Sequence, residues 1–182
     1  PEGDSYALPF PYLLCVSNRK LHKNESRLVM AFATAKVSGM HLVFTGEPSP
    51  RIMKCIEEQH VTDRVYFAGI VPEAELPSLY RGAEALVFPS LYEGFGLPVL
   101  EAMACGTPVV TANITAMPEV AGDAAQLIDP TSVEQIAKGI ERIVSDTSLR
   151  SCLRTKGLAR AAQFSWSQTS DRINEILNSV MI

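Results

Sequence analysis

The sequence has little with which to hold a metal, a disulfide frame or a dinucleotide. Cys15, Cys55, Cys105 and Cys152 stand far apart, no two form a Cys-x-x-Cys pair, and His22, His41 and His60 do not cluster with them. That spacing excludes the usual zinc and redox motifs and reads as four reduced, mostly buried thiols. No Asp-x-Asp occurs, so the simplest way of holding a metal–diphosphate is missing. No Gly-x-Gly-x-x-Gly follows the first apolar run and no Gly-Lys-Ser/Thr is present, which disfavours a dehydrogenase or an ATPase. No apolar run approaches a membrane span and no signal peptide is visible, so a cytoplasmic chain is expected. Positive charge is not in excess: the net charge is −4, which argues against a general nucleic-acid binder. Two glycosylation sequons, at Asn24 and Asn113, are then chance matches.

What is present is ordinary in bulk and informative in order. The 182 residues, 47% hydrophobic and 20% charged, suit one domain with a real core. The chain begins at Pro1 rather than Met, which points to a piece of a longer protein. Residues 1–11 read as a linker or entry segment and 12–182 as the domain. Short apolar runs at 12–16, 41–45, 65–68, 85–88, 108–111 and 125–128 predict strands. Helical stripes lie between and after them: Leu28, Phe32 and Ala35, capped by Asn24 or Ser26; Ile52, Met53 and Ile56; Leu76, Leu79 and Tyr80; 98–104; a short turn at 118–120; Ile136, Ala137, Ile140, Ile143 and Val144 behind a capping box at Thr131–Glu134; about 149–163; and Ile173, Ile176, Leu177 and Val180. Continuous apolar strands alternating with helices predict an α/β fold, a single Rossmann-like doubly wound parallel sheet with helices on both faces. In such sheets ligands bind beyond the carboxyl ends of the strands. The glycines and polar loops at 17–23, 46–47, 69–71, 90–97 and 111–119 fall at those ends.

The loop of residues 89–97, PSLYEGFGL, is the richest of these. It leaves an apolar strand at Pro89, spends Gly94 and Gly96, and enters a helix at Pro98, a residue suited to the first turn because its missing N–H would have been an orphan there. The free amides of Phe95, Gly96 and Leu97 would then face out with the positive end of the helix dipole behind them, which suits a phosphate. Glu93 and Glu101 bracket the loop. Glu101 has two readings, a dipole partner of the first turn or an acceptor for ribose hydroxyls. Of the cluster Arg19, Lys20 and Lys23, Lys23 is the better diphosphate contact because it adjoins the next helix. Met103 and Phe88 read as core, Phe95 as open to a ligand.

The block PSLYEGFGLPVLEAMACGTPVV, followed by MPEVAGDAA and FSW and preceded by HKN, resembles the C-terminal half of a retaining, nucleotide-sugar-dependent glycosyltransferase of family 4 with the GT-B fold. The resemblance covers nearly the whole chain. It implies two Rossmann-like domains with the active site between them, the C-terminal one binding the donor. It further implies Glu93 on the sugar hydroxyls, Glu101 on the ribose, and Gly94, Phe95, Gly96 and Leu97 on the phosphates or sugar. Lys23 matches the family's donor-phosphate lysine, residues around Val71 would touch the base through backbone, and Glu119 would lie near the donor pocket. Two positions depart from the pattern: Ser17 stands where the family has Gly, and the family's phosphate-binding arginine aligns with Asn18, with Arg19 one place later. The implied donor is a nucleoside-diphosphate sugar, with no separate cofactor and no metal. The acceptor, a glycan or lipid-linked sugar, would sit on an N-terminal domain, against which the final helix would pack; the full enzyme could contact a membrane peripherally. The alternatives are a standalone nucleotide-binding or partner subunit, or a non-transferring GT-B relative such as a sugar-nucleotide epimerase.

Overall fold

The computed structural model describes residues 3–180; Pro1 and Glu2 of the expected entry segment, and Met181 and Ile182 at the end of the expected domain, lie outside the described residues. Strands form at Tyr12–Cys15 (β1), His41–Phe44 (β2), Val65–Phe67 (β3), Ala85–Phe88 (β4), Val109–Ala112 (β5) and Gln126–Ile128 (β6). They make one sheet in the order β3-β2-β1-β4-β5-β6. Every pairing is parallel. Helices follow at Glu25–Thr34 (α1), Pro50–Glu58 (α2), Leu76–Gly82 (α3), Leu97–Ala104 (α4), Met117–Ala121 (α5), Val133–Ser145 (α6), Thr147–Ala161 (α7) and Trp166–Val180 (α8).

Successive residues of a strand point to opposite faces, and each face has its own core. Leu13 and Cys15 of β1 face α1, α2 and α6; Tyr12 and Leu14 face α3, α4 and α5. Because both faces are covered, β1, β4 and β5 are buried throughout, which is why they appear in the sequence as unbroken apolar runs. Each large side chain so buried contributes roughly 1.5–3 kcal/mol relative to leaving it in water. The expected α/β doubly wound sheet is the observed one. Its order reverses between β1 and β4, and that switch point opens a crevice beyond their carboxyl ends.

Several local expectations shift. Asn24 precedes α1 in the left-handed region (φ 60°), but its side chain does not cap the helix; its amide donates to the carbonyls of Pro89 and Pro130 instead. An Asn buried and bonded in this way offers no glycosylation site. The cap of α6 is Ser132, which accepts from the Gln135 amide, one residue after the expected Thr131 box, because Thr131 is held by Asp129. The cysteines are unpaired as expected, but only Cys15 is fully buried and Cys152 is exposed. Residues 3–11 form no helix or strand, yet Tyr6 donates its amide to Ser78 and Phe10 stacks on His41 at 3.9 Å. Along α8, Trp166, Ile173, Ile176, Leu177 and Val180 are all exposed. No helix among the described residues is long and apolar enough to cross a membrane.

Candidate functional site

Parallel pairing of β1 with β4 brings the loop after β1 beside the loop after β4, although 70 residues separate them in the chain. The two are joined directly. The Leu91 amide donates to the His22 carbonyl at 2.7 Å, and Asn24 reaches across to Pro89 at 3.0 Å. The first loop ends in a single 3₁₀ turn, Leu21–Lys23, which aims Lys23 inward. Its Nζ lies 2.7 Å from Glu93 Oε1 and 4.7 Å from the centre of the Phe88 ring. Ser90, fully buried, places its hydroxyl 2.7 Å from the same carboxylate oxygen and 3.0 Å from the His22 carbonyl. The two side chains of the pair remain 11% and 13% exposed, so the pair is sheltered but reachable.

Beyond Glu93 the chain turns into α4. Gly96 holds φ 95°, a conformation that favours glycine, and a Cβ there would also push aside the thioether end of Met117 of α5. Gly94 differs: among the described residues nothing lies within 4 Å of where its Cβ would be. Leu97 rather than Pro98 is the first helical residue, one earlier than expected. Among the described residues the amides of Phe95, Gly96 and Leu97 donate to no protein acceptor, which leaves a set of N–H groups at a helix N-terminus for an anion. One turn further on, Glu101 accepts a hydrogen bond from the Tyr80 hydroxyl at 2.7 Å. Burial, with the Glu101 charge adding to it, pushes the Tyr80 phenol well above its ordinary range, so it stays a donor. Phe95, Leu97 and Glu101 line a cleft of about 330 Å3 with Leu100, Phe164 and Trp166.

The structure thus brings Lys23 and Glu93 into contact, with the loop amides following Glu93 in the chain and Glu101 one turn into α4, bonded to Tyr80. Phe95 is half exposed, whereas Phe88 and Met103 are core, as expected. Val71 follows the left-handed Gly69 beyond β3, and Glu119 sits in the first turn of α5; neither bonds to the Lys23–Glu93 pair among the described residues. Arg19 goes elsewhere. It ion-pairs with Glu25, donates to the carbonyls of Thr45, Gly46 and Glu47, and lies against the stacked pair of Phe44 and Phe67, 5.2 and 5.1 Å from their ring centres. So placed, it faces the β2 loop and not the amides of 95–97. Sequence reasoning missed Glu25, Ser90 and Tyr80. Only Ser90 left a signal, a hydroxyl at the end of a strand three residues before a candidate carboxylate. Among the described residues, no three of His, Cys, Asp and Glu gather as metal ligands.

A family model, glycosyl transferases group 1, matches residues 7–160. The chain belongs to this family. Over 111 residues, 60% of its length, this group 1 domain is 49% identical to O-antigen chain mannosyltransferase B of Escherichia coli, of which it covers 29%. Over 92% of its length it is 33% identical to the serotype-specific mannosyltransferase WbdA of Escherichia coli, of which it covers 22%. The domain thus spans less than a third of either relative. Among solved structures, the sucrose-phosphate synthase of Thermosynechococcus elongatus superposes with a TM-score of 0.85 at 28% identity, over 95% of this chain and 46% of that one.

Proposed function

We propose that this group 1 domain is the donor-binding half of a retaining glycosyltransferase of family 4 with two-domain GT-B architecture, taking a sugar from a nucleoside diphosphate. The observation that supports it most is the pairing of Lys23 with a loop whose three amides have no protein partner among the described residues, at the switch point of the sheet. A departing diphosphate gains negative charge in the transition state, and preplaced donors aimed at that charge lower the barrier. Lys23 and the amides of Phe95, Gly96 and Leu97 supply such donors without a metal or cofactor. Lys23 is paired with Glu93. An arriving diphosphate competes for Lys23 and releases Glu93 toward the sugar hydroxyls. The open room at Gly94 admits close backbone approach, Glu101 meets the ribose, backbone near Val71 the base, and Glu119 the rim of the donor pocket. Arg19 has no part in this scheme, because its donors are already engaged.

The relatives named as mannosyltransferases favour a mannose-type donor. The acceptor, a glycan or lipid-linked sugar, would bind a facing N-terminal domain, and the apolar stripe of α8 would pack there. The enzyme would work in the cytoplasm, with peripheral contact to a membrane where the acceptor is lipid-linked. The test is a thermal-shift panel of UDP, GDP, ADP and their mannose and glucose derivatives. One nucleotide series should raise the melting temperature in a concentration-dependent way. A flat response to every nucleotide would sink the proposal.

A further inference from the structure

The hydroxyl of Tyr80 is the one polar atom of an otherwise apolar, 1%-exposed ring, and the buried ring brings it to Glu101 Oε2 at 2.7 Å. We propose that Tyr80 is the positioning residue of Glu101: it clamps one carboxylate oxygen so that the other, and the remaining lone pairs, are presented to the two hydroxyls of the donor's ribose. The proposal rests on the reading that Glu101 binds the ribose.

A glutamate side chain has several rotatable bonds, and freezing it on ligand binding costs conformational entropy. Here that ordering is done in advance. Tyr80 is itself fixed at its backbone: its carbonyl accepts from the Thr107 hydroxyl at 2.7 Å and from the Ala83 amide at 3.0 Å. Glu101 sits in the middle of α4, whose Val99, Ala102 and Met103 are buried against the sheet. The carboxylate is therefore held between two rigid elements, α3 and α4, and not by a loop. Because burial keeps the phenol protonated far above neutral pH, the clamp donates to the ionised carboxylate across the whole working range. A carboxylate oxygen so engaged cannot rotate away to water, and a diol presented with a fixed acceptor pair meets it in one geometry.

The experiment is calorimetric titration of the protein and its variants with UDP, GDP and ADP and with their 2′,3′-dideoxy forms. Glu101→Ala should weaken the natural nucleotide that binds by about tenfold to a hundredfold and leave its dideoxy form unchanged. Tyr80→Phe, which keeps the ring and removes only the hydroxyl, should weaken the natural form by about fivefold to tenfold, again sparing the dideoxy form. The double variant should bind no worse than Glu101→Ala alone, since the clamp acts only through the carboxylate. Equal weakening of both nucleotide forms by Tyr80→Phe, or loss of its cooperative melting, would make Tyr80 a packing residue and overturn the proposal. No effect of Tyr80→Phe beside a ribose-selective loss in Glu101→Ala would overturn it while leaving the ribose reading intact. Glu101→Ala without selectivity would remove the ribose reading and the clamp together.

Discussion

Two ion pairs lie four residues apart along the same loop and have opposite characters. Arg19–Glu25 is closed: the carboxylate is fully buried, and the guanidinium is spent on it, on three carbonyls and on two aromatic faces. Lys23–Glu93 is open: its carboxylate keeps 13% of its surface where Glu25 keeps none, and among the described residues the amides beside the pair have no protein partner. The closed pair ties the loop after β1 to the start of α1 and to the loop after β2. The open pair faces the crevice. Charge near a binding site is thus of two kinds, one that shapes the wall and one that can exchange partners. A buried pair is not net stabilising by default, but breaking one side of it is costly.

The strongest way to break the comparison is Arg19→Met. It leaves buried Glu25 with only the longer ion pair to half-exposed Arg51 at 3.7 Å, so unfolding free energy should fall by about 3 kcal/mol in urea titrations. The double variant Arg19→Met/Glu25→Leu should recover most of that loss, and a double variant as unstable as the single one would refute the closed-pair account. Next comes Lys23→Met. It should weaken nucleoside-diphosphate binding by about 1.5–3 kcal/mol, with little change in melting temperature, because Glu93 can still reach water. Gly96→Ala should cost about 1–3 kcal/mol of stability from its left-handed backbone and its collision with Met117, and should lower nucleotide affinity in step. The smallest effect belongs to a pair outside either class. Lys156 lowers the pKa of exposed Asp123, so any contribution is present above the unfolded carboxylate range and is lost as the pH falls through the folded value. At neutral pH that contribution is fully present, yet an exposed pair is worth so little that Lys156→Ala should leave the melting curve unchanged.

The sheet was legible because burial on both faces forces unbroken apolar runs such as Leu13-Leu14-Cys15 and Leu86-Val87-Phe88, and Gly46 and Gly69 mark the ends of the runs of β2 and β3. Helix stripes were legible for α2 and α6. The width of the buried face of α1 was not, since Val29 and Ala31 pack through contacts with α6 that no period reveals. The carboxylates and glycines of the central loop were visible because two glycines near a strand end are costly without a reason. Arg19 was not. Beside Lys20 and Lys23 it reads as a solvated charge, and only the stacked Phe44 and Phe67, from two other strands, show where it goes. Glu25 lies six residues from Arg19 with nothing in the sequence to pair them, and Tyr80 reads as a core aromatic whose partner is 21 residues away. Residues 149–163 and 167 onward were within a residue or two of α7 and α8.

The bond from the Leu91 amide to the His22 carbonyl has a consequence for folding. It spans the two halves of the sheet, so it cannot form until β1 and β4 lie side by side, and closing so long a stretch of chain is an entropically late event. A chain with only its first half folded would carry Lys23 without Glu93, and one with only its second half the reverse. The anion-ready crevice therefore comes into being with the last docking step. Nucleotide affinity would report completed assembly of the domain, and partly folded chains would have nothing with which to hold a donor.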